Sequence, residues 1–331
     1  MIYSPLLFCL NYPYSVIWIT SSFEEKNHFD KVIVLSDKLE LEEKEEKPLV
    51  IKNKNVSLKS EINNKKEDLD IKGDIKLSNV SKKYGGVQAL KKISLGVNKG
   101  EIYGILGLKD SGKSTLLKTM CALSKPDFGT INIMGADILK HPEKIRNNIG
   151  YMPQKLSLQN SKNIRQNLNY YALISGIKTK EKNKIIDKII NDFSFQEYEN
   201  QNIEELSASL KQKLSFACSL INNPDFLFLD EPAVGVDIFT GYDLWKRIKT
   251  LSNQGTTIII ATNNMEEAKY CDKVCLLYKG QILSQGKPDD LKEQAANILR
   301  ISPEIYPLRN PEELPNMEET YITFIRNLEK Q

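Results

Sequence analysis

The chain has 331 residues, of which 40% are hydrophobic and 27% charged, the proportions of an ordinary globular protein. Its 46 basic and 43 acidic residues leave a net charge of +3, so the balance gives no reason to expect nucleic acid or another polyanion as a partner. A chain of this length can hold one large or two small domains and bury a sizeable core. The five cysteines show no paired zinc spacing and are interpreted as reduced core thiols.

The beginning of the chain carries an internal repeat. Residues 16–32 resemble residues 258–274, and each copy is predicted to form an apolar strand, a short helix and a second strand. The identical pairs are formed by Thr20, Glu24, Glu25, Asp30, Lys31 and Val32 with Thr262, Glu266, Glu267, Asp272, Lys273 and Val274. We expect residues 1–41 to be the tail of an upstream domain of the same kind as the one that follows, which makes the chain the second half of a tandem protein. Chance similarity between two strand–helix–strand units is the alternative.

Two further features of this region concern membranes and domain boundaries. The apolar stretch 1–20 lacks a basic start and a small-residue cleavage site, and two prolines and Asn11 interrupt it. We therefore expect neither a signal peptide nor a membrane span there, and any membrane contact is expected to come through a partner. Residues 42–72 are dense in Lys, Glu and Asn and have few large apolar side chains, which predicts a charged linker.

Residues 73–298 alternate strand and helix patterns, which predicts one α/β domain. Strand-like apolar runs lie at 75–80, 92–97, 102–106, 226–229, 257–261 and 274–278. Helical patterns lie at 113–121, 163–176, 181–193 and 210–221. The helices between about 151 and 223 are predicted to form an inserted subdomain, and residues 299–331 a C-terminal extension.

A glycine-rich loop follows the predicted strand 102–106 and opens the predicted helix 113–121, with the spacing G-x-x-x-x-G-K-[ST]. It consists of Gly107, Leu108, Lys109, Asp110, Ser111, Gly112, Lys113, Ser114 and Thr115. Glycines let such a backbone curl so that its N–H groups point at phosphate oxygens, and the helix N-terminus adds partial positive charge. We expect Lys113 to reach the β- and γ-phosphates of a nucleotide and the Ser114 hydroxyl to ligate Mg²⁺.

Two adjacent acids end the predicted strand 226–229. Asp230 is placed to hold Mg²⁺ through its water shell. Glu231 is one residue further on and projects elsewhere, where it can take a proton from an attacking water. An acid pair of this kind is by itself weak support for any function. In combination with the glycine-rich loop it predicts a nucleoside triphosphatase.

The loop and the acid pair resemble the ATP-binding subunits of ABC transporters, over about residues 74–298. The resemblance implies an α/β P-loop NTPase domain with a helical insertion and an antiparallel β region, with ATP and Mg²⁺ as cofactors. It implies that Tyr84, ahead of the loop, stacks on adenine through its aromatic face. It also implies that Gln154 contacts Mg²⁺ and couples the site to a permease.

Three further motifs of this family are matched imperfectly or in part. Ser207 stands in the signature motif, which caps the ATP of the opposite subunit, but both glycines and the Gln that normally follow are replaced in the segment 208–210. Asp237 matches the family's D-loop at the dimer interface. Asn263 stands where the family has a histidine that contacts the γ-phosphate, and Asn can neither carry a positive charge nor shuttle a proton. We expect slower hydrolysis for this reason.

The segments 265–268, 271–274 and 280–288 resemble the exporter class, in which the permeases are separate chains. The partners implied are one or more membrane permease subunits and a second ABC nucleotide-binding domain, at the cytoplasmic face of the inner membrane. Two other functions stay open. One is a soluble ABC-type ATPase that acts on ribosomes or translation, since such proteins also carry paired domains joined by charged linkers. The other is a non-hydrolysing regulatory subunit, which the altered signature motif and Asn263 favour.

Overall fold

A computed structural model describes residues 74–142, 145, 147–302, 305 and 313–330, together with the backbone of four short strands within the first 42 residues. The chain divides into two compact units, Met1–Asp70 and Ile71–Gln331. In the described part of the chain, no helix combines the length and the apolar character that crossing a bilayer requires.

The first unit contains two antiparallel strand pairs. Strand β1 (Leu6–Cys9) pairs with β2 (Val16–Ile19), and β3 (Val34–Leu35) pairs with β4 (Leu41–Glu42). Strand β2 lies where the internal repeat predicts its first strand. The helix that the repeat predicts next, and residues 43–72 of the predicted linker, lie outside the described residues, so the tandem origin stays a prediction.

The second unit is built on two sheets. Its strands are β5 (Ile75–Tyr84), β6 (Val87–Val97), β7 (Ile102–Leu106), β8 (Phe128–Ile133), β9 (Ala136–Asp137), β10 (Ile149–Met152), β11 (Phe226–Asp230), β12 (Thr257–Thr262), β13 (Lys273–Tyr278) and β14 (Gln281–Gly286). An antiparallel sheet has the order β6-β5-β8-β9, and a six-stranded sheet has the order β10-β11-β12-β7-β13-β14. The six-stranded sheet is parallel apart from the β13–β14 pair.

Seven α-helices accompany these sheets in the described residues. They are α1 (Lys113–Met120), α2 (Ile164–Ile174), α3 (Thr179–Asp192), α4 (Ala208–Ser219), α5 (Ile238–Asn253), α6 (Pro288–Ile301) and α7 (Met317–Lys330). Short 3₁₀-helices lie at Gln196–Tyr198, Ile203–Glu205 and Met265–Tyr270. Helix α2 begins with a capping box, in which Asn163 and Gln166 satisfy each other's backbone N–H groups.

The core explains why the apolar runs are strands. Every residue of β7, β11 and β12 is buried, because helices or the second sheet cover both faces of the parallel sheet. One apolar cluster joins this sheet to α2, α3 and α4, and another lies between this sheet, α1 and the antiparallel sheet. Four cysteines are free and buried, as predicted, in the described part of the chain: Cys121, Cys218, Cys271 and Cys275.

The predicted fold class is confirmed, with differences at particular elements. Strand β6 begins at Val87, five residues before the predicted start, because Tyr84 and Val87 close a tight hairpin through two glycines. In the second unit, four strands, β8, β9, β10 and β14, and three helices, α5, α6 and α7, were not predicted. The four residues of β10 include Gly150, and a Cβ there would lie 2.2 Å from the Ser219 carbonyl oxygen, so close helix packing requires a residue of low strand propensity.

Candidate nucleotide-binding site

The glycine-rich loop joins the end of β7 to α1 and has room for glycine alone at two positions. A Cβ on Gly107 would lie 2.4 Å from the Leu277 carbonyl oxygen. Gly112, at the start of α1, has φ +107°, and a Cβ there would lie 2.6 Å from the Ala89 carbonyl oxygen. Both neighbours are main-chain atoms that cannot move aside, so the glycine spacing in the sequence reflects the packing of the loop against two strands.

Lys113, the first residue of α1, folds its side chain back over the loop. Its Nζ donates to the carbonyl oxygens of Gly107 and Leu108, at 2.7 and 3.0 Å. The same Nζ lies 3.6 Å from Oε1 of Glu231, and both side chains are buried. Lys113 therefore connects the loop to the acid pair, although 118 positions separate Lys113 from Glu231 in the sequence.

Glu231 occupies a tight turn directly after β11. Its φ of +53° is in the left-handed region, which costs a residue with a side chain about 1–3 kcal/mol. Its N–H donates to the Ala261 carbonyl oxygen at 2.8 Å, and its Oε2 accepts from the N–H of Asn263 at 3.1 Å. The turn thus directs the Glu231 carboxylate toward Lys113 on one side and the end of β12 on the other.

Asp230 is 1% exposed, and its Oδ1 is buried with no hydrogen-bond partner. Burial raises the pKa of this carboxyl above its ordinary value, and the Glu231 charge raises it further. A hydrogen bond with Ser114 and the charges of Lys118 and Lys113 act in the opposite direction on the same pKa. A carboxylate oxygen that lacks a partner, close to a hydroxyl, is an incomplete site whose hard oxygen donors suit Mg²⁺.

The acidic, histidine and cysteine side chains of the described residues do not form a complete metal site by themselves. Among the described residues, no group of three or more His, Cys, Asp or Glu side chains is placed to hold a metal ion. Mg²⁺ commonly binds in proteins through one or two carboxylates while substrate phosphates and water complete its shell. The residues present therefore fit Mg²⁺ that arrives with a nucleotide, and Ser114 and Asp230 are the groups that would hold it.

The other residues of the loop differ in exposure, and Tyr84 and Gln154 lie outside the loop, near the ends of two strands. Leu108, Lys109 and Asp110 are exposed, Ser111 is buried with its Oγ unpartnered, and Thr115 is half-buried. Tyr84 is 42% exposed at the end of β5, with its hydroxyl 3.0 Å from Ser124 Oγ and Lys82 Nζ 5.2 Å from the ring centroid. Gln154 is exposed just beyond β10, the strand that pairs with β11.

Ser207 and Asp237 both cap helices. Ser207 Oγ accepts from the N–H of Leu210 at 3.2 Å and caps α4. Asp237 caps α5 by accepting from the N–H and the hydroxyl of Thr240, and these bonds lower the pKa of Asp237 far below its ordinary value. The Asp237 N–H in turn donates to Ser209 Oγ at 3.0 Å. Ser209 is one of the residues that replace the expected glycines, so this replacement ties the signature segment to the D-loop.

The side chain and the backbone of Asn263 have separate roles. Its N–H binds Glu231, a bond that any residue except proline would make, while its side chain is exposed at the end of β12. Asparagine in place of the expected histidine therefore leaves the position of Glu231 unchanged, because the bond to Glu231 comes from the backbone. The difference is confined to the exposed side chain, which is a neutral amide instead of an imidazole.

The sequence did not reveal three residues that contact or flank the site. Gln212 Nε2 donates to the carbonyl oxygens of Glu231 and Pro232, at 3.1 and 3.0 Å, and so supports the strained turn. Glu267 is buried near the end of β12, and burial raises its pKa. Tyr321 in α7 hydrogen-bonds the glycine-rich loop. Gln212 stands between two lysines of its helix, so no local pattern marks it, and no local pattern points from Tyr321 to the loop.

Comparison with known proteins gives concordant results. Residues 90–234 match the family model described as ABC transporter. The probable multidrug ABC transporter ATP-binding protein YbhF of Escherichia coli is 35% identical over 257 residues, which cover 78% of this chain and 42% of YbhF. This chain therefore spans less than half the length of that relative. The Nod factor export ATP-binding protein I of Rhizobium etli is 33% identical over 221 residues, which cover 66% of this chain and 70% of the relative.

A solved structure shares the fold. The dimeric structure of the ATP-binding cassette MJ0796 in a post-hydrolysis state, bound to ADP and Pi, is 26% identical and superposes with a TM-score of 0.60. The match covers 64% of this chain and 98% of that structure. A loop, an acid pair and a sheet order of this kind, together with a relative that is 33% identical and of which this chain covers 70%, lead to one conclusion: the protein belongs to the ATP-binding proteins of ABC transporters.

Proposed function

We propose that this chain binds ATP with Mg²⁺ at the loop 107–115 and hydrolyses it to drive a membrane export permease. The observation that carries the proposal is the position of Lys113 Nζ, between the carbonyl oxygens of the loop and Oε1 of Glu231. A cation suited to binding phosphate and a candidate general base thus lie 3.6 Å apart, and both side chains are buried. The proposal also rests on the names of the relatives, two of which denote multidrug transport and Nod factor export.

The contacts of Lys113 indicate how binding prepares the base. A triphosphate in the loop offers Lys113 stronger, charged acceptors than the two carbonyl oxygens, so its ammonium turns toward the β- and γ-phosphates. Oε1 of Glu231 then loses its cationic neighbour, while Oε2 keeps the N–H of Asn263. One carboxylate oxygen stays fixed and the other becomes free to accept a proton from water.

The proposed hydrolysis uses this geometry. The water oxygen forms a bond to the γ-phosphorus, the bond from that phosphorus to the β,γ-bridging oxygen breaks, and Glu231 Oε1 takes the proton of the water. We propose that Ser114, Asp230 and Gln154 would hold Mg²⁺. When bound, the ion would neutralise charge on the phosphate oxygens. Tyr84 would stack on the adenine with the exposed part of its ring.

The chain is proposed to act with a second nucleotide-binding domain. Apolar side chains at the start of α5, next to Asp237, face solvent: Ile238 is 88%, Phe239 86% and Tyr242 69% exposed. A cluster of large apolar side chains in solvent is typical of a protein interface. The relative MJ0796 forms a dimer, which supports a second cassette as the occupant of this surface. A permease at the cytoplasmic face of the inner membrane is the other proposed partner.

Turnover is proposed to be slow. The side chain at Asn263 cannot offer the charged contact that histidine gives the γ-phosphate, and one weakened contact of this kind lowers a rate by about 10- to 1,000-fold. Ala208 and Ser209 add Cβ atoms where the family brings glycine backbone close to the partner's nucleotide. A non-hydrolysing regulatory subunit is the second candidate function, and Asn263 is the observation that favours it.

Nucleotide binding and phosphate release by the full chain, with ATP and Mg²⁺, test the proposal. We expect Lys113→Ala to abolish binding, and Glu231→Gln to keep binding while lowering turnover by about 10²- to 10⁴-fold. Lys125→Ala and Glu266→Gln change exposed residues of the same types outside the site and serve as matched controls. If Glu231→Gln releases phosphate at the unaltered rate, Glu231 is not the base. Binding without any turnover by the unaltered chain would select the regulatory function.

A further inference from the structure

The C-terminal helix α7 reaches the glycine-rich loop. It packs against the 3₁₀-helix Met265–Tyr270, which follows β12, and against α6 and β14. Tyr321 is the residue of α7 that reaches the loop, and it is 1% exposed. Its hydroxyl accepts a hydrogen bond from the N–H of Leu108 at 3.3 Å and donates one to the carbonyl oxygen of Leu277 at 2.8 Å.

Both partners of this hydroxyl belong to the wall of the nucleotide site. The Leu108 peptide accepts from Lys113 Nζ through its carbonyl oxygen at 3.0 Å. The Leu277 carbonyl oxygen is the atom that a Cβ on Gly107 would meet at 2.4 Å. Tyr321 therefore ties the first turn of the loop to the strand beside it. Burial raises the pKa of the Tyr321 hydroxyl, which keeps the proton that it donates to Leu277.

We propose that Tyr321 is a positioning residue for nucleotide binding, which holds the Leu108 peptide and thereby the loop in the conformation that receives a triphosphate. The inference rests on the proposed ATP binding at this loop and extends the site to a helix beyond residue 298. A loop that is already held in its binding conformation loses less conformational freedom when the ligand arrives, which increases affinity. These hydrogen bonds hold the loop and not the phosphates, so we expect them to add binding without adding a contact to the transition state.

Other contacts hold α7 independently of this hydroxyl. Tyr278 donates to Glu329 Oε1 at 3.0 Å near the far end of the helix, and Arg326 Nη1 donates to the Ile305 carbonyl oxygen at 2.7 Å. Met317 is buried in the apolar core. Removal of the Tyr321 oxygen alone is therefore expected to leave the helix docked, so its effect on nucleotide binding can be separated from its effect on folding.

The test compares Tyr321→Phe with Tyr278→Phe in the full chain. Each variant removes one tyrosine hydroxyl that connects α7 with β13, and Tyr321→Phe alone removes a bond to the loop. We measure the Kd for ATP with Mg²⁺, the kcat and KM of phosphate release, and the Tm without nucleotide. For Tyr321→Phe we expect the Kd and KM to rise by about 3- to 10-fold, the size expected for one or two lost hydrogen bonds. We expect its kcat to change by less than about 2-fold, and we expect Tyr278→Phe to keep the unaltered Kd.

Equal Kd values for the two variants would overturn the positioning role, even if both lowered the Tm. A fall in kcat with an unchanged Kd would also overturn it, because the bond would then act on the chemical step. If the unaltered chain fails to bind ATP, the proposed function itself falls. An unaltered chain that binds ATP while Tyr321→Phe binds it equally well removes only the inference about Tyr321.

Discussion

Asp230→Asn is expected to stabilise the nucleotide-free protein while removing its response to Mg²⁺. The native carboxylate is 1% exposed and has one oxygen without a partner. Its pKa is raised chiefly by burial, so the folded state holds this proton more tightly than the unfolded state does. As the pH rises from the ordinary Asp value, about 3.9, through the raised folded value, the unfolded state loses its proton first and the folded state loses relative stability. Asparagine carries no charge at any pH in this range, so it removes this loss of stability.

The size of the effect follows from the buried charge, since asparagine keeps a polar oxygen in the same place and removes only the charge. A buried polar group without a hydrogen bond costs about 1–3 kcal/mol and a charged one more, and the bond with Ser114 offsets part of the cost for the carboxylate. We therefore expect a gain of about 1–2 kcal/mol in the free energy of unfolding at pH 7.5. For a unit of this size, each 1 kcal/mol corresponds to about 2–4 °C in Tm. The difference between variant and native protein should disappear below about pH 4, where both states of the native protein are protonated.

Thermal melting of the full chain, followed by circular dichroism between about pH 3 and pH 8, measures this effect. Asp243→Asn is the control, because Asp243 is exposed on α5 and its change is expected to stay within about 0.5 kcal/mol at every pH. With ATP and Mg²⁺ added, the native protein should gain Tm and Asp230→Asn should gain much less. A variant that melts at or below the native Tm at pH 7.5 would refute the assignment of Asp230 as a buried, unsatisfied carboxylate.

Three further substitutions test separate features. Asn263→His should raise the rate of phosphate release by about 10- to 1,000-fold by restoring a charged contact, and equal rates would contradict this role. Gln212→Leu should lower the free energy of unfolding by about 2–4 kcal/mol in urea titrations, because it leaves two buried carbonyl oxygens of residues 231–232 without donors. Gly112→Ala should weaken ATP binding, measured by calorimetry, by at least about 10-fold, since φ is +107° and the new Cβ would lie 2.6 Å from the Ala89 carbonyl oxygen. Unchanged affinity would mean that the loop shifts at little cost.

Much of the parallel sheet was predictable because its signal is local. Strands β7, β11 and β12 are buried on both faces, so each appears in the sequence as a short, nearly continuous apolar run. Strand β10 has no such run, because Gly150 is required by the contact with the end of α4. Its place at the edge of the sheet, next to β11, is a property of the folded chain alone.

The candidate site divides in the same way. The spacing of Gly107, Gly112 and Lys113 can be recognised in the sequence because all three lie in one loop. The adjacent acids at the end of β11 can be recognised because they are neighbours in the chain. The contact of Ser209 with Asp237 could not be predicted from the sequence. Such a contact depends on how one helix start packs on another, which residue spacing does not encode.

The glycine-rich loop, the acid pair and the α/β class can be inferred from residue order alone, because backbone conformation and strand burial depend on neighbouring residues. The meetings of distant groups belong to the folded chain: Lys113 with Glu231, and Tyr321 with Leu108 across 213 positions. These contacts form when packing of the apolar core brings distant segments together, and a single hydrogen bond leaves no periodic pattern along the chain by which it could be anticipated.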